Sequence, residues 1–486
     1  MSSASDYRIP PEVRSAAFVI VLGAIATLLD STVVNIAIRS LSIDLHTDLD
    51  TIQWVITGYL LALAACIPVT GWAAKRFGDR RLYLSTLILF AAGSLLCAMA
   101  RTPGQLIAFR VIQGLGGGMV LPAGQIILAK LAGPQNMAKV MPVLGIAMVL
   151  TPVLGPTLGG LLLEGPGWRW LFLINLPICA AAVFAGRRLL PAHQPEEAGA
   201  LDIAGLLLVS GGSVGVTYAL AEVGSSGQAS GSSMTVLAAG VVLLVVFVLR
   251  GLRIDHPLLD LRLYRNRAFS AAALATFCLG GALYGAMILM PLYFQTVRGQ
   301  SAIMTGILLA PSGIGAAIAM PLAGRLSQRW GGGITASIGG LVTMLATIPF
   351  VVLSADTSYG YLLGAMGVRG LGIGLSMMPA MTAAYQVLGR DKINDATPQL
   401  SMLQRVGGSV GTAVVAVALQ HQLSRSHTPE AMAAGFGAAF WWVLGISIVT
   451  TLSAVLLALA ERPALRLGAI SSAGAGAGLR PGRWRR

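Results

Sequence analysis

Gly155-Pro156-Thr157-Leu158-Gly159-Gly160 lies in the middle of an apolar stretch, with residues 148–151 before it and 161–163 after it. Proline removes a helix hydrogen bond and glycine weakens a helix. The run therefore reads as a bendable span whose Gly-x-x-x-Gly face another helix can approach closely. A pure anchor has little need of this. Because the flanks stay apolar, the expected break falls inside a bilayer, where freed backbone groups are tolerated only against protein or a water-lined cavity. The expectation is a helix that moves. A bend that merely eases packing is the alternative, since glycine and proline are common in membrane helices.

Working outward, the same apolar character recurs along nearly the whole chain. Of 486 residues, 55% are hydrophobic and only 11% charged, and the mean hydropathy is +0.77, outside the range of soluble domains. Stretches of about 20 apolar residues, the length that crosses a hydrocarbon core, fall at 14–38, 52–73, 82–100, 104–129, 139–163, 169–190, 202–222, 234–250, 268–291, 303–323, 334–353, 359–388, 396–421 and 435–459. The expected fold is thus an all-α polytopic membrane protein with 14 transmembrane helices.

Basic residues test that count, because lysine and arginine are retained on the cytoplasmic side. With an inside N-terminus, 25 of the 33 Lys and Arg fall in inner segments or the C-terminal tail. Five lie outside (Arg39, Arg101, Arg169, Arg298, Arg425) and three remain within spans (Arg110, Arg369, Arg405). Both termini are therefore expected to be cytoplasmic, in an inner membrane. The net charge of +14 is a topology signal, and no nucleic-acid role follows from it. The first apolar stretch is too long for a cleavable signal and is expected to stay as a span. Cys66, Cys97, Cys179 and Cys278 all fall within spans, which offers neither a disulfide framework nor metal-ligand spacing.

Two echoes divide the chain. The basic hairpin from Gly71 through Lys75, Arg76, Gly78, Asp79 and Arg80 to Arg81 has a counterpart from Gly324 to Gly331, with the glycines offset by 253. Gly114-Leu115-Gly116-Gly117-Gly118 is matched by Gly370-Leu371-Gly372-Ile373-Gly374, offset by 256. Two related halves, a common plan in secondary transporters, account for both. Six helices with short loops need about 200 residues, and spans seven and eight fill the surplus. The expected units are an arm at 1–13, a six-helix bundle at 14–190, linkers and an inserted two-helix hairpin at 191–267, a second bundle at 268–460 and a basic tail at 461–486.

Asp30 is the sole acid well inside a span. A charged carboxylate there costs several kcal/mol and is a functional candidate by default. Burial disfavours its charged form and a nearby arginine favours it, so it can bind and release a proton as a cavity opens to either side. A permanently paired structural carboxylate is the alternative. Span one runs outward and span four inward. At 1.5 Å per residue, Asp30 and Arg110 then both lie about 10 Å below the outer boundary and can meet if their helices are neighbours. Arg110 would modulate Asp30 or relay protons through Gln113; otherwise it braces helices through backbone carbonyls. The Gly71–Arg81 hairpin can form charge contacts that latch one conformation. Tyr284, Met287 and Tyr293, with Met377 and Met378 opposite, could line a greasy cavity, since methionine adapts to varied shapes; helix packing explains them equally. Asn35, Arg369 and Glu222 are further cavity candidates. Three deep arginines against one acid favour neutral, monovalent or weakly acidic cargo over dications.

These residues resemble the major facilitator superfamily, and within it the fourteen-helix drug:proton antiporter branch. Leu29-Asp30-Ser31-Thr32-Val33-Val34-Asn35-Ile36-Ala37 is similar to the first-helix motif whose aspartate is implicated in proton coupling. The run from Arg110 to Gly118 resembles the fourth-helix motif whose arginine is assigned to proton transfer, and Gly155 to Gly160 the fifth-helix antiporter motif. The hairpin departs from the pattern. Lys75 stands where the family usually has aspartate, so the usual latch cannot form there and is expected to be weaker or to use Asp79. That variant resembles exporters that work with a periplasmic adaptor protein. Thr151 also replaces the more usual glycine opening the antiporter motif. The resemblance implies two six-helix bundles plus the hairpin, and efflux of hydrophobic or amphipathic compounds, drugs or toxic metabolites, by alternating access. The partners implied are the lipid bilayer, a small-molecule substrate and protons, with the proton gradient as energy source and no cofactor. A proton symporter for nutrient uptake and a lipid or glycolipid exporter share the fold and remain open. An enzyme is not expected, because the deep residues assemble no catalytic cluster.

Overall fold

The computed structural model describes residues 10–192, 195–196, 198–226, 230–388, 392–423 and 428–475. Among these, thirteen helices are long and apolar enough to cross a membrane: α1 (Pro11–Asp44), α2 (Leu49–Phe77), α3 (Asp79–Met99), α4 (Pro103–Gly133), α6 (Arg169–Leu189), α7 (Ile203–Gly224), α8 (Gly231–Gly251), α9 (Arg267–Val297), α10 (Met304–Trp330), α11 (Gly332–Val351), α12 (Tyr359–Gln386), α13 (Ile393–Leu423) and α14 (Pro429–Glu461). Residues 134–164, here α5, are also helical and follow α4 directly, so the order of elements is that of the fourteen sequence spans.

Side-chain oxygens cap several helix starts, satisfying N–H groups that lack an intrahelical partner. Asp48 accepts from Thr51 N, Thr102 from Gln105 N, Ser301 from Met304 N and Asn266 from Ala268 N. Between α2 and α3 the chain turns at Gly78 with φ 85°, and between α10 and α11 at Gly331 with φ 93°. A side chain is strained at such angles, which explains glycine at these two repeat-related corners.

The expected break at Gly155–Gly160 is absent: the backbone there is helical throughout, and the one departure within residues 103–164 is Gly133, at φ 67° and ψ 166°. The close approach expected of the run's Gly-x-x-x-Gly face is present. A methyl at Gly155 would collide with Thr32 Oγ1, and one at Gly159 would lie 3.0 Å from Ile36 Cδ1 and 3.2 Å from Val33 Cγ1, whereas Gly160 meets nothing within 4 Å. The irregular backbone is on the partner helix, where Val34–Ala37 of α1 tighten into a 3-10 turn.

Packing repeats between the halves. The α2–α4 and α3–α4 contacts are matched by α10–α12 and α11–α12, and the α1–α6 contact by α9–α14. Glycines permit this in both. Gly114 and Gly118 face α2 while Gly116 faces α3, and correspondingly Gly370 and Gly374 face α10 while Gly372 faces α11. The halves meet where α5 packs on α10 and α12, and where α2 approaches α13. Helix α7 lies against both α2 and α13, with Trp54 stacked on Tyr218 and Ser210 Oγ donating to Ala65 O. Helix α8 packs on α7 and exposes Val241, Val242, Val245 and Leu249, the face an outlying membrane helix gives to lipid. The foot of this hairpin is stapled by Arg250 Nη1, which donates to both Asp202 oxygens at 2.7 and 2.8 Å. Burial raises the Asp202 pKa, but Arg250 and the Gly205 and Leu258 N–H groups outweigh it and hold the carboxyl below its ordinary value.

Candidate functional site

The largest fully buried side chain is Arg110. Its Nη1 donates to Asp30 Oδ2 at 2.6 Å and to Gln113 Oε1 at 2.8 Å, and its Nε to Val55 O at 3.1 Å. The guanidinium carbon sits 3.9 Å from the centre of the Tyr59 ring. Asp30 Oδ1 accepts from Gln113 Nε2 and from Asn175 Nδ2, each at 2.9 Å. Ser94 Oγ accepts from the same two amides at 3.1 and 3.0 Å and donates to Phe172 O. Five helices, α1, α2, α3, α4 and α6, thus converge on one carboxylate.

Every polar partner of Asp30 is a donor, which suits the carboxylate; a protonated carboxyl would set its hydrogen against N–H groups. Charge-assisted bonds this short are the strong ones, and a buried ion pair that loses one charge leaves the other uncompensated at several kcal/mol. Asp30 and Arg110 therefore hold α1 against α4, with Asn175 adding α6. Asp30 and Arg110 do meet, as their depths allowed, and Arg110 also bonds the backbone carbonyl of Val55. Ser94 and Asn175 were not anticipated. Asn175 is the amide in the apolar run 171–178, a signal that was there to read.

Beside this network lies a cavity of about 210 Å³ at the junction of the halves. Leu28, Ser31 and Thr32 of α1 line one wall, so the turn carrying Asp30 separates the carboxylate from the cavity. Of the cavity candidates, Tyr284, Met287, Arg369 and Met377 line it. Tyr293 does not: it is fully buried, donates to Ser354 O at 2.7 Å and packs edge-on to Phe436. Nor does Met378, which is buried in the contact between halves against Gly145 of α5. Asn35 is exposed and bonds Ser31 O, and Glu222 is exposed on α7, whose neighbours are α2, α8 and α13; neither lines the cavity.

The hairpin corrects a further expectation. Asp79 is buried and pairs with Lys130 of α4 at 3.0 Å, inside its own half. Lys75 makes the contact between halves, with Nζ 2.8 Å from both oxygens of Asp395 on α13. A charge contact between the halves is thus present at this hairpin, with the cation on the hairpin and the carboxylate on α13. Gly71 lies against Asn394 O. Glu196 of the linker donates its N–H to Lys75 O at 2.9 Å and accepts from Lys130 and Asn394. Arg80 bonds Arg187 O, and Arg76 and Arg81 are exposed. Further in, Ser401 Oγ donates to Gln125 Oε1 across the interface at 3.3 Å. All these contacts close the face that carries the basic loops.

Compared with known proteins, residues 20–412 match the profile of the Major Facilitator Superfamily. The chain belongs to that superfamily. Major facilitators are membrane transporters, and several relatives of this one carry resistance or export names. It is 39% identical over 435 residues, 87% of this chain and 80% of the other, to the "Multidrug resistance protein B homolog" of Mycobacterium tuberculosis. It is 32% identical over 428 residues, 88% and 90% of the two chains, to the "Methylenomycin A resistance protein" of Bacillus subtilis. It is 31% identical over 417 residues, 84% and 80%, to the "Multidrug export protein EmrB" of Haemophilus influenzae. Among solved structures, the human organic anion transporter MFSD10 (TETRAN) aligns with a TM-score of 0.62 over 92% of this chain and 100% of that one. At 17% identity the likeness shows the major facilitator fold.

Proposed function

We propose that this chain is a proton-driven efflux antiporter that exports hydrophobic or amphipathic compounds across the cytoplasmic membrane of a bacterium by alternating access, with both termini inside. The observation that carries this reading is the Asp30 carboxylate held by Arg110, Gln113 and Asn175 one helical turn from a cavity between the halves. The names of the relatives support export and resistance as the outcome. With the basic-loop face inside, the latched state presents its cavity to the outside, where external protons arrive. Protonation of Asp30 releases α1 from Arg110. Helix α5 touches α1 through Gly155 and Gly159 and packs on α10 and α12 of the other half, so a shift of α1 is felt at the interface that must rock.

The direction of flux tests this. In proteoliposomes made acidic inside, protons leave and an antiporter accumulates a fluorescent amphiphile above the level of protein-free vesicles. Accumulation only in vesicles made acidic outside would instead mean symport and contradict the reading.

A further inference from the structure

Arg110 is neutralised by Asp30, but Arg369 has no such partner. It is 8% exposed and lines the central cavity, where it is the charged side chain among the described lining residues. Its Nη2 donates to Ala282 O at 2.9 Å, and its Nε has no acceptor. The surrounding wall is largely apolar, with Met148, Met287, Met290, Met366 and Met377, Phe350 and Phe440, and carries the neutral hydroxyls of Tyr284 and Ser312. Ser31 and Thr32 turn their hydroxyls back onto Leu28 O and Leu29 O of their own helix. A guanidinium in such a place is costly unless a charge of opposite sign joins it, and five donors in a planar fork fit a carboxylate or sulfonate best. No acid of the described lining supplies that charge.

We infer that the cargo itself supplies it: the cavity takes an amphipathic organic monoanion, its charged head on Arg369 and its apolar body among the methionines. This assignment rests on reading the cavity as the cargo site of an exporter and narrows that reading to one class. Charge-assisted hydrogen bonds are worth enough to separate an anion from its neutral isostere by about tenfold or more in Kd, and the methionines accept different apolar bodies at little cost. Anchor and selectivity thus reside in one side chain.

Equilibrium binding of dansylglycine, a monoanion, and dansylglycinamide, its uncharged isostere, to the purified full-length protein provides the test. It needs no proton gradient, so it stands apart from the direction-of-flux experiment. The unaltered protein should bind dansylglycine about tenfold or more tightly than the amide. Arg369→Gln should bring the two to equal affinity, while Arg369→Lys keeps part of the preference. Ala286→Asp provides a second route that leaves the arginine in place. Ala286 lines the cavity one turn beyond the carbonyl that Arg369 bonds, and an internal carboxylate there should abolish the preference while the amide still binds. Thermal unfolding identifies any variant that fails to fold. Equal affinities in the unaltered protein, no dansylglycine binding to it, or an undiminished preference in folded Arg369→Gln would each overturn the assignment. If the preference holds but no gradient drives transport, the antiport reading fails and the anion site stands.

Discussion

Asp30 and Arg110 hold each other at 2.6 Å with side chains 0% and 1% exposed, and at that burial the pair behaves as one unit. Removing one charge should be worse than removing both. Arg110→Gln should destabilise the protein by about 3–5 kcal/mol, because Asp30 would keep a buried and uncompensated charge. Adding Asp30→Asn should recover a large part of that loss, read as the denaturation midpoints of the single and double variants; additive losses would contradict the coupling. The pair was legible in the sequence because a charge inside an apolar span is expensive and has to be explained. Ser94 is not legible in the sequence, because serine enters membrane helices cheaply and announces a role only once its partners are placed, whereas Asn175 stands out as an amide in an apolar run. Tyr293 misled for the converse reason: a tyrosine on an amphipathic stretch suits a cavity, but its hydroxyl found Ser354 O and its ring found the core.

At the scale of elements, the Gly155–Gly160 run shows why composition alone does not place a break. Glycine and proline are permissive, and the same letters allow a kink or a close contact; α1 decides in favour of contact, and the departure at Gly133 is the corner between α4 and α5. The glycines of this run are therefore unequal. Gly155→Val should overpack α1 against α5 at about 1–3 kcal/mol and slow transport, since Thr32 occupies the space a side chain needs. Gly160→Ala should leave expression and transport rate close to those of the parent, since nothing lies within 4 Å. Equal sensitivity at both positions would mean that the run acts through backbone flexibility after all. The positions of the fourteen spans, by contrast, were readable, because apolar length and the segregation of basic residues are independent signals that agree.

Across the whole molecule, the basic-loop face is bridged by Lys75 meeting Asp395, a residue 320 positions away. From the residues near the hairpin alone, a weaker latch or one through Asp79 is expected. A pairing between halves is invisible until the halves are docked. The two side chains are 24% and 13% exposed, so solvent screens the pair and its coupling should be on the order of 1 kcal/mol. Lys75→Asp and Asp395→Lys should each shift the population away from the latched state, read as spin-label distances between α2 and α13, and the exchanged pair should restore it. If the exchanged double variant is as open as either single one, the contact does not latch. The inserted hairpin α7–α8 lies against α2 and α13, outside the α5–α10 and α5–α12 contacts.

The central claim is that a proton on Asp30 is what links the gradient to the movement of cargo. Its most direct test compares the parent and Asp30→Asn in the same proteoliposomes by two assays: accumulation of a fluorescent amphiphile driven by a pH gradient, and gradient-free exchange of that compound across the membrane. The account predicts that Asp30→Asn loses accumulation down to the level of empty vesicles and retains exchange. Undiminished accumulation by Asp30→Asn would contradict it.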